Sequence, residues 1–287
     1  MKYSVVIPAY NEARFIGLTL DSLMRQTVLP VQVVVANDNS TDETAAIAAR
    51  YAKKYPFVSV VSNPSQNIHL PGSKVIRAFN AGLKELRDPY DIIVKLDADL
   101  ILPDHYFETV CAAFSDPSTG MAGGFAYIQK DGQWVLESLA DHDHIRGAFK
   151  AYRRELFEQM QGLRPAMGWD TADELLARYY GWKVVTLKNL KVKHLKPTGA
   201  SYDKAARYKQ GESFYTLGYG FSITLVASIK LAAKKGKPLL FFDYLAGFLK
   251  AKRAGVAPLV TPDQAKFIRN YRYKKMLGKI GVTNSAD

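Results

Sequence analysis

Asp91-Ile92-Ile93-Val94-Lys95-Leu96-Asp97-Ala98-Asp99 is a short apolar run that ends in two aspartates one residue apart. Read as a strand, it places side chains i and i+2 on one face, so Asp97 and Asp99 converge on one point beyond the strand's end. Carboxylates grouped in this way repel each other unless a cation lies between them. A hard divalent ion such as Mg²⁺ or Mn²⁺, held by one or two carboxylates and substrate phosphates, meets that need. Solvated turn carboxylates give the same pattern, so the surrounding sequence has to decide.

Upstream, strand and helix patterns alternate. Tyr3–Ile7 is a short β-rich run closed by Pro8, and Glu12–Gln26 carries apolar residues at near-helical spacing. Val31–Ala36 reads as a second strand. Ser40-Thr41-Asp42-Glu43 reads as a helix start before Thr44–Ala52. Phe57–Ser62 is a third strand, Ser73–Leu86 a third helix and Asp91–Leu96 a fourth strand. Such alternation predicts βαβ units and an α/β fold whose sheet is mixed and mostly parallel, flanked by helices. Ligands of these sheets bind beyond the carboxyl ends of the strands. Pro8–Glu12, Asn37–Asp42 and Asp97–Asp99 all follow strands, so all three line one edge.

Further along, the pattern predicts a helix from Pro103 through Phe114 and a small-residue strand over Met121–Ile128. Asp141–Met160 is polar and helix-compatible, and Gly162–Gly168 is a loop. A helix opens at Asp170-Thr171-Ala172-Asp173-Glu174 and runs through Tyr180. A last strand at Lys183–Leu187 leads to Lys191-Val192-Lys193-His194. The alternation stops near residue 200, which divides the chain into a catalytic domain over 1–200 and an extension over 201–287.

The net charge of +12 is concentrated in that extension. Residues 1–200 carry 23 Lys/Arg against 22 Asp/Glu, whereas residues 201–287 carry 16 against 5. A polyanionic partner is implied, and an anionic membrane surface or nucleic acid satisfies it. Phe214–Ile229 is uncharged but shorter than the ~20 apolar residues of a membrane span. With the apolar, aromatic Pro238–Leu249, it reads as a membrane-surface helix or as a helix packed on the first domain. The single cysteine, Cys111, excludes a disulfide framework and any Cys-based zinc site. The first residues lack the apolar core of a secretory signal. Together these predict a cytoplasmic protein peripheral to the inner face of the cell membrane.

Four motifs in order, Ile7-Pro8-Ala9-Tyr10-Asn11-Glu12, Asn37-Asp38-Asn39-Ser40-Thr41-Asp42-Glu43-Thr44, Asn80-Ala81-Gly82 and Asp97-Ala98-Asp99, resemble glycosyltransferase family 2. The resemblance covers roughly residues 1–200 and implies the GT-A nucleotide-diphosphosugar transferase fold. It also implies inverting, metal-dependent transfer from a nucleotide-diphosphate sugar, with UDP-sugars first, to a lipid-linked or surface glycan acceptor. By matching position, Pro8, Ala9, Tyr10 and Glu12 wall the nucleoside and Asp38 meets the base. Asp97 (with Ala98 beside it) approaches ribose or metal, and Asp99 holds the metal. Asn37 departs from the family, which usually has an aspartate there. Lys74 and Arg77 either reach the nucleotide or are solvated helix charges. Asp42 reads better as a helix-start residue than as a ligand.

Sugar transfer with inversion needs a carboxylate to take the acceptor's proton. Asp170 and Asp173, in a stretch similar to the family's acidic segment, are the alternatives, although the usual Glu-Asp pair is absent. The opposing reading makes Asp170 a helix N-cap and Asp173 its partner. Trp169 is a sugar-stacking platform or a core residue. His194 completes a metal shell or is a partly buried strand-end histidine. Asp141-His142-Asp143-His144 resembles a metal cluster in composition only, since on a helix just Asp141 and His144 share a face. It reads as an acceptor-facing helix start. A sugar-1-phosphate nucleotidyltransferase would need a Gly- and Arg-containing phosphate loop after the first strand, and Pro8–Glu12 has neither. No nucleic-acid-binding motif is recognisable, so nucleic acid is not expected as a partner.

Overall fold

The computed structural model describes residues 1–62, 72–137, 143–196 and 207–279. They fall into two compact units, one of residues 1–165 with 180–200, the other of 166–179 with 201–287. The division therefore differs from a simple cut at residue 200: segment 166–179 groups with the C-terminal helices.

In the first unit the chain runs β1 (Tyr3–Ala9), α1 (Ile16–Met24), β2 (Gln32–Asn37), α2 (Thr44–Lys54), β3 (Val58–Ser62), α3 (Ser73–Leu83) and β4 (Ile92–Leu96). These four strands lie parallel in the order β3-β2-β1-β4. Every residue of β1 and β4 is buried, as expected for central parallel strands covered on both faces. β1 runs one residue past Pro8, further than the sequence suggested. Its pairing with β4 has ended by Val6, while pairing with β2 continues to Ala9↔Asn37. Pro8 thus sits where one side of the strand is free, and its missing N–H costs no ladder bond.

The unit continues with β5 (Leu100–Ile101), α4 (Tyr106–Ala113), β6 (Thr119–Lys130), β7 (Gln133–Leu136), β8 (Phe149–Arg153), α5 (Arg154–Gln159) and β9 (Lys183–His194). Here the sheet becomes mixed. β8 is antiparallel to both β4 and β6, β9 is parallel to β6, and β5 is antiparallel to β9. The helix expected over Asp141–Met160 is a correction. Among the described residues, 143–148 are irregular, 149–153 form a buried strand, and helix occupies only Arg154–Gln159. Asp141 and His142 lie outside the described residues. Gly82 of α3 shows why a glycine stands in the Asn80-Ala81-Gly82 motif. A Cβ there would come within 2.6 Å of Val6 Cγ1 on β1, so its absence lets α3 settle onto the sheet.

The second unit is helical: α6 (Trp169–Tyr179), α7 (Lys209–Thr216), α8 (Phe221–Lys234), α9 (Leu240–Arg253) and α10 (Pro262–Lys279). α6 meets α10 through the edge-on rings of Tyr179 and Phe267, 5.5 Å apart, and Arg178 over Tyr271. α7 and α9 cross closely through Gly211 and Gly247, where any Cβ would collide with the facing backbone. The acidic residue in the apolar 238–249 stretch is also explained. Asp243 is buried and accepts a 2.7 Å hydrogen bond from Arg207 Nε. On other faces Phe221, Val226, Ile229, Leu239, Phe242 and Leu249 are exposed. No helix among the described residues is long and apolar enough to cross a membrane.

Candidate functional site

The carboxyl ends of β1, β2 and β4 bring three polar segments to one edge, and backbone hydrogen bonds fix two of them to each other. Asn11, held at φ +52, accepts from Thr41 N at 2.8 Å and donates its own N–H to Ser40 Oγ at 3.0 Å. Glu12 N donates to Thr44 Oγ1, and Ala13 N to Asp42 Oδ2. The other oxygen of Asp42 accepts from Thr44 N at the start of α2. Asp42 is therefore a structural clasp between Pro8–Glu12 and Asn37–Thr44.

Within this frame Pro8 and Ala9 end β1, and Asp38 follows β2 with its N–H bonded to Ala9 O. Asp38 is buried, with Lys74 Nζ 3.5 Å from its carboxylate. The same ammonium lies 3.8 Å from the centroid of the exposed Tyr10 ring, a cation–π geometry. Tyr10, Asp38 and Lys74 thus form one corner with an aromatic face, an acceptor and a cation. Arg77 stands exposed on α3.

The Asp97–Asp99 segment departs from its expected geometry. β4 ends at Leu96, and Asp97-Ala98-Asp99 is a turn into β5 rather than a strand with a shared face. Each aspartate meets a cationic partner of its own. Lys95, 1% exposed, bonds Asp97 and donates to Gly147 O at 2.8 Å. Asp99 Oδ2 lies 3.5 Å from His194 Nε2, because Leu100 pairs with His194 across the β5–β9 ladder. Ala98 is buried between the two.

Sequence reading missed four residues here. Glu137, just past β7, places its carboxylate 3.7 Å from His194 Nδ1 and 2.6 Å from Arg146 Nη2. Lys196 lies 2.5 Å from Glu12 Oε1. Lys95 is the fourth, and its signal was a lone charge two residues before Asp97 in an apolar strand. Burial opposes charge on His194, but the neighbouring carboxylates of Asp99 and Glu137 outweigh it and push the imidazole up to about 9. Burial likewise works against the Glu137 carboxylate, yet His194 and Arg146 hold it down at about 2. Glu12 moves the other way. Burial raises it, Lys196 opposes, and the negative charges of Asp99 and Asp97 add to the rise.

A divalent cation fits this corner. Asp99 and His194 supply one oxygen and one nitrogen donor, both nearly buried, a set compatible with Mn²⁺. Glu12 Oε2 is buried with no hydrogen-bond partner, on a carboxyl that already senses Asp97 and Asp99. Added positive charge would relieve that arrangement. Among the described residues no group of three or more His, Cys, Asp or Glu is gathered tightly enough to hold a metal by itself. Any ion here would draw the rest of its shell from substrate oxygens and water.

Asp170, Asp173 and Trp169 belong to the second unit. α6 begins at Trp169, so Asp170 lies inside its first turn and is not the N-cap. Asp173 is buried and accepts from Glu174 N at 2.6 Å, whereas Asp170 is half-buried. Trp169 is 7% exposed.

The family model described as Glycosyl transferase family 2 matches residues 4–168. An uncharacterised glycosyltransferase of Bacillus subtilis (strain 168), EpsJ, is 33% identical over 177 residues, spanning 54% of this chain and 49% of its own. The O-antigen chain rhamnosyltransferase RfbN of Salmonella typhimurium is 26% identical over 184 residues, 56% of this chain and 55% of its own. The chain thus spans about half the length of these curated relatives. Among solved structures, the mannosyltransferase PcManGT from Pyrobaculum calidifontis, in complex with GDP-Man and Mn²⁺, superimposes with a TM-score of 0.59. It is 18% identical, and the match covers 99% of this chain and 81% of that one. S. aureus TarS 1-349 in complex with UDP-GlcNAc gives 0.59 at 17% identity, covering 100% and 94%. At those identities the likeness establishes the fold alone, the GT-A α/β fold with its sheet flanked by helices. With three of its motifs on adjoining strand ends, the fourth on α3, and a family match over more than half its length, the chain belongs to glycosyltransferase family 2.

Proposed function

We propose that this protein is an inverting, metal-dependent glycosyltransferase. It moves a sugar from a nucleotide-diphosphate donor, UDP-linked in the first instance, to a lipid-linked or surface glycan acceptor at the inner face of the cell membrane. One observation carries the reading: a nucleoside corner of Tyr10, Asp38 and Lys74 shares a sheet edge with the acidic corner of Glu12, Asp97 and Asp99. Structural neighbours in complex with GDP-Man and Mn²⁺ and with UDP-GlcNAc support the donor class and the metal.

In this reading Pro8, Ala9 and Tyr10 enclose the nucleoside, and Asp38 accepts a hydrogen bond from the base. Lys74, which covers one face of the Tyr10 ring, turns toward phosphate or leaves stacking to the opposite face. Asp99 and His194 would hold the divalent ion, with Asp97 beside it, and a bound ion would supply positive charge to offset the charge on the departing diphosphate. Lys95 keeps Asp97 oriented, and Lys196 does the same for Glu12. The acceptor hydroxyl attacks the anomeric carbon as the bond to the diphosphate oxygen breaks, and a carboxylate takes the hydroxyl proton. We assign that carboxylate to Asp170 over Asp173, because Asp173 is buried whereas Asp170 is half-buried in the first turn of α6. Trp169, beside it, is assigned to the acceptor side.

The membrane location rests on the C-terminal helices, where exposed Leu239 and Phe242 adjoin Lys234, Lys235 and Lys237. A screen of UDP- and GDP-sugars for donor hydrolysis, with and without Mn²⁺, tests the central claim. Hydrolysis of one nucleotide class, dependent on metal, is the expected result. Hydrolysis indifferent to metal overturns the metal role, and none with any donor overturns the transferase reading.

A further inference from the structure

The C-terminal helical unit contains a cavity of about 410 Å³ that the transferase reading does not use. It lies among the end of α7, the turn before α8, the second half of α9 and the start of α10. Tyr215, Tyr219, Phe221 and Phe248 supply the aromatic part of its wall. Phe248 is the hinge of this wall, edge-on to Tyr215 at 5.7 Å and to Phe221 at 6.4 Å. Two cations, Lys252 and Arg269, line the same space, and none of its lining residues is acidic. Arg269 spends one N–H on Gly218 O at 3.1 Å, which fixes the guanidinium while four of its five donors are not used in that bond.

An aromatic cavity with cations and no anions selects an amphipathic anion. Its size lies at the small end of ordinary ligand sites, enough for a single chain. Phe221 and Leu249, which line it, are 55% and 39% exposed, so the cavity opens through apolar residues. The 16 Lys/Arg against 5 Asp/Glu of residues 201–287 supply the matching long-range field. A nucleotide fits poorly, because no acceptor side chain is available for a base edge beyond Thr261 and the two tyrosine hydroxyls.

We propose that this cavity is a specific site for one acyl chain of an anionic membrane phospholipid, with the lipid phosphate met by Lys252 and Arg269. The proposal deepens the membrane part of the function above: the helical unit does not only lie on a charged surface but takes up a lipid tail. Anchoring then has two independent components, the seated chain and the exposed apolar residues Ile229 and Phe242, which do not line the cavity.

The full chain is titrated with dioctanoyl phosphatidylglycerol below its micellar concentration and followed by native mass spectrometry. Dioctanoyl phosphatidylcholine and glycerol phosphate are run in parallel, and flotation is measured with phosphatidylglycerol vesicles. The expected result is saturable one-to-one binding of the monomeric anionic lipid, at least tenfold weaker for Leu249→Glu and for Lys252→Glu. Phe242→Glu leaves that binding unchanged and weakens flotation. Both cavity variants change exposed positions, and thermal melts confirm that they fold. Absence of saturable binding, equal binding of the choline lipid, displacement by glycerol phosphate alone, or indifference to both cavity variants overturns the site. Vesicle flotation without monomer binding overturns the cavity and leaves surface adsorption standing. Monomer binding without flotation supports the cavity and overturns the membrane location.

Discussion

The two units of this chain solve different problems with different sequence grammar. The first is nearly neutral and built on a buried sheet. It gathers carboxylates at strand ends and gives them fixed counter-ions: Lys95 for Asp97, His194 for Asp99, Lys74 for Asp38 and Lys196 for Glu12. The second is strongly basic and helical, and it leaves both cations and large apolar side chains in water. A site for a compact anionic substrate needs preorganised charge, which the sheet edge supplies. A surface that meets lipid needs area and loosely held cations, which helix faces supply. The difference teaches that the excess charge of this protein lies apart from the carboxylates of the sheet edge, in the helices for which a membrane role is proposed.

The comparison breaks most readily at Asp99. Asp99→Asn removes the carboxylate proposed to share a metal with His194, and turnover is expected to fall by about 10²–10³, the usual scale for losing one preorganised electrostatic group. Calorimetry with UDP in the presence and absence of Mn²⁺ checks the cause, because the metal-dependent part of the affinity should vanish. Full retention of that part would remove Asp99 from the metal site. Asp170→Asn sharpens the other side. It is expected to lower turnover by about 10², the low end of general-base losses, with donor affinity unchanged. If Asp173→Asn gives that kinetic pattern and Asp170→Asn does not, the assignment reverses.

Lys95 shows what kind of information the sequence hid. The strand ends near Pro8, Asn37 and Asp97 were legible because turn residues and apolar runs are local signals. Asp42 as a helix-start residue was legible for the same reason. β8 was not, because Phe149-Lys150-Ala151-Tyr152-Arg153 has no alternation, and its strand state depends on pairing with β4 and β6 far away in the chain. The Glu137–Arg146–His194 trio likewise joins three separate segments. α6 reads locally as a helix, but its grouping with α10 rests on ring contacts that no local pattern encodes. Truncation near residue 200 would therefore also strip partners from the helix that carries Asp170, so point substitutions are the sounder probes of the tail. Lys95→Met tests the buried ion pair directly. Leaving Asp97 without its partner is expected to cost about 3 kcal/mol by urea unfolding, at the lower bound for broken buried pairs because Asp97 retains some water contact. A loss below about 1 kcal/mol would show the pair to be dispensable for stability.

The Glu137–His194 contact predicts a pH signature confined to the first unit. His194 is raised in the folded state, so its contribution is fully present below pH 6.5 and is lost as pH rises through about 9. Glu137 is depressed, so its contribution is present above pH 4.5 and is lost as pH falls through about 2. The two limbs share the Glu137–His194 contact, with Asp99 adding to the first and Arg146 to the second, and urea midpoints should plateau between 4.5 and 6.5. His194→Gln should flatten the alkaline limb. An unchanged alkaline limb in that variant would assign it to another group. A proton on His194 also competes with a divalent ion, so Mn²⁺ affinity should climb with pH across the same alkaline range.

The smallest expected effect belongs to the second unit and distinguishes its loosely held charges from the fixed ones of the first. Lys237, next to the exposed Pro238 and Leu239, is itself exposed. A lysine near an anionic bilayer contributes ~1 kcal/mol, so Lys237→Ala should weaken binding to phosphatidylglycerol vesicles roughly fivefold. The effect should shrink toward nothing at high salt, because screening acts strongly on exposed charge. Donor hydrolysis and folding stability should not change. Lys95 gives the contrast: its substitution should cost stability at every salt concentration, because Lys95 is itself buried and salt screens such a pair much less than an exposed charge. If Lys237→Ala lowered donor turnover, or if its effect on vesicles survived high salt, the division of labour between a fixed-charge sheet edge and a diffuse basic surface would fail.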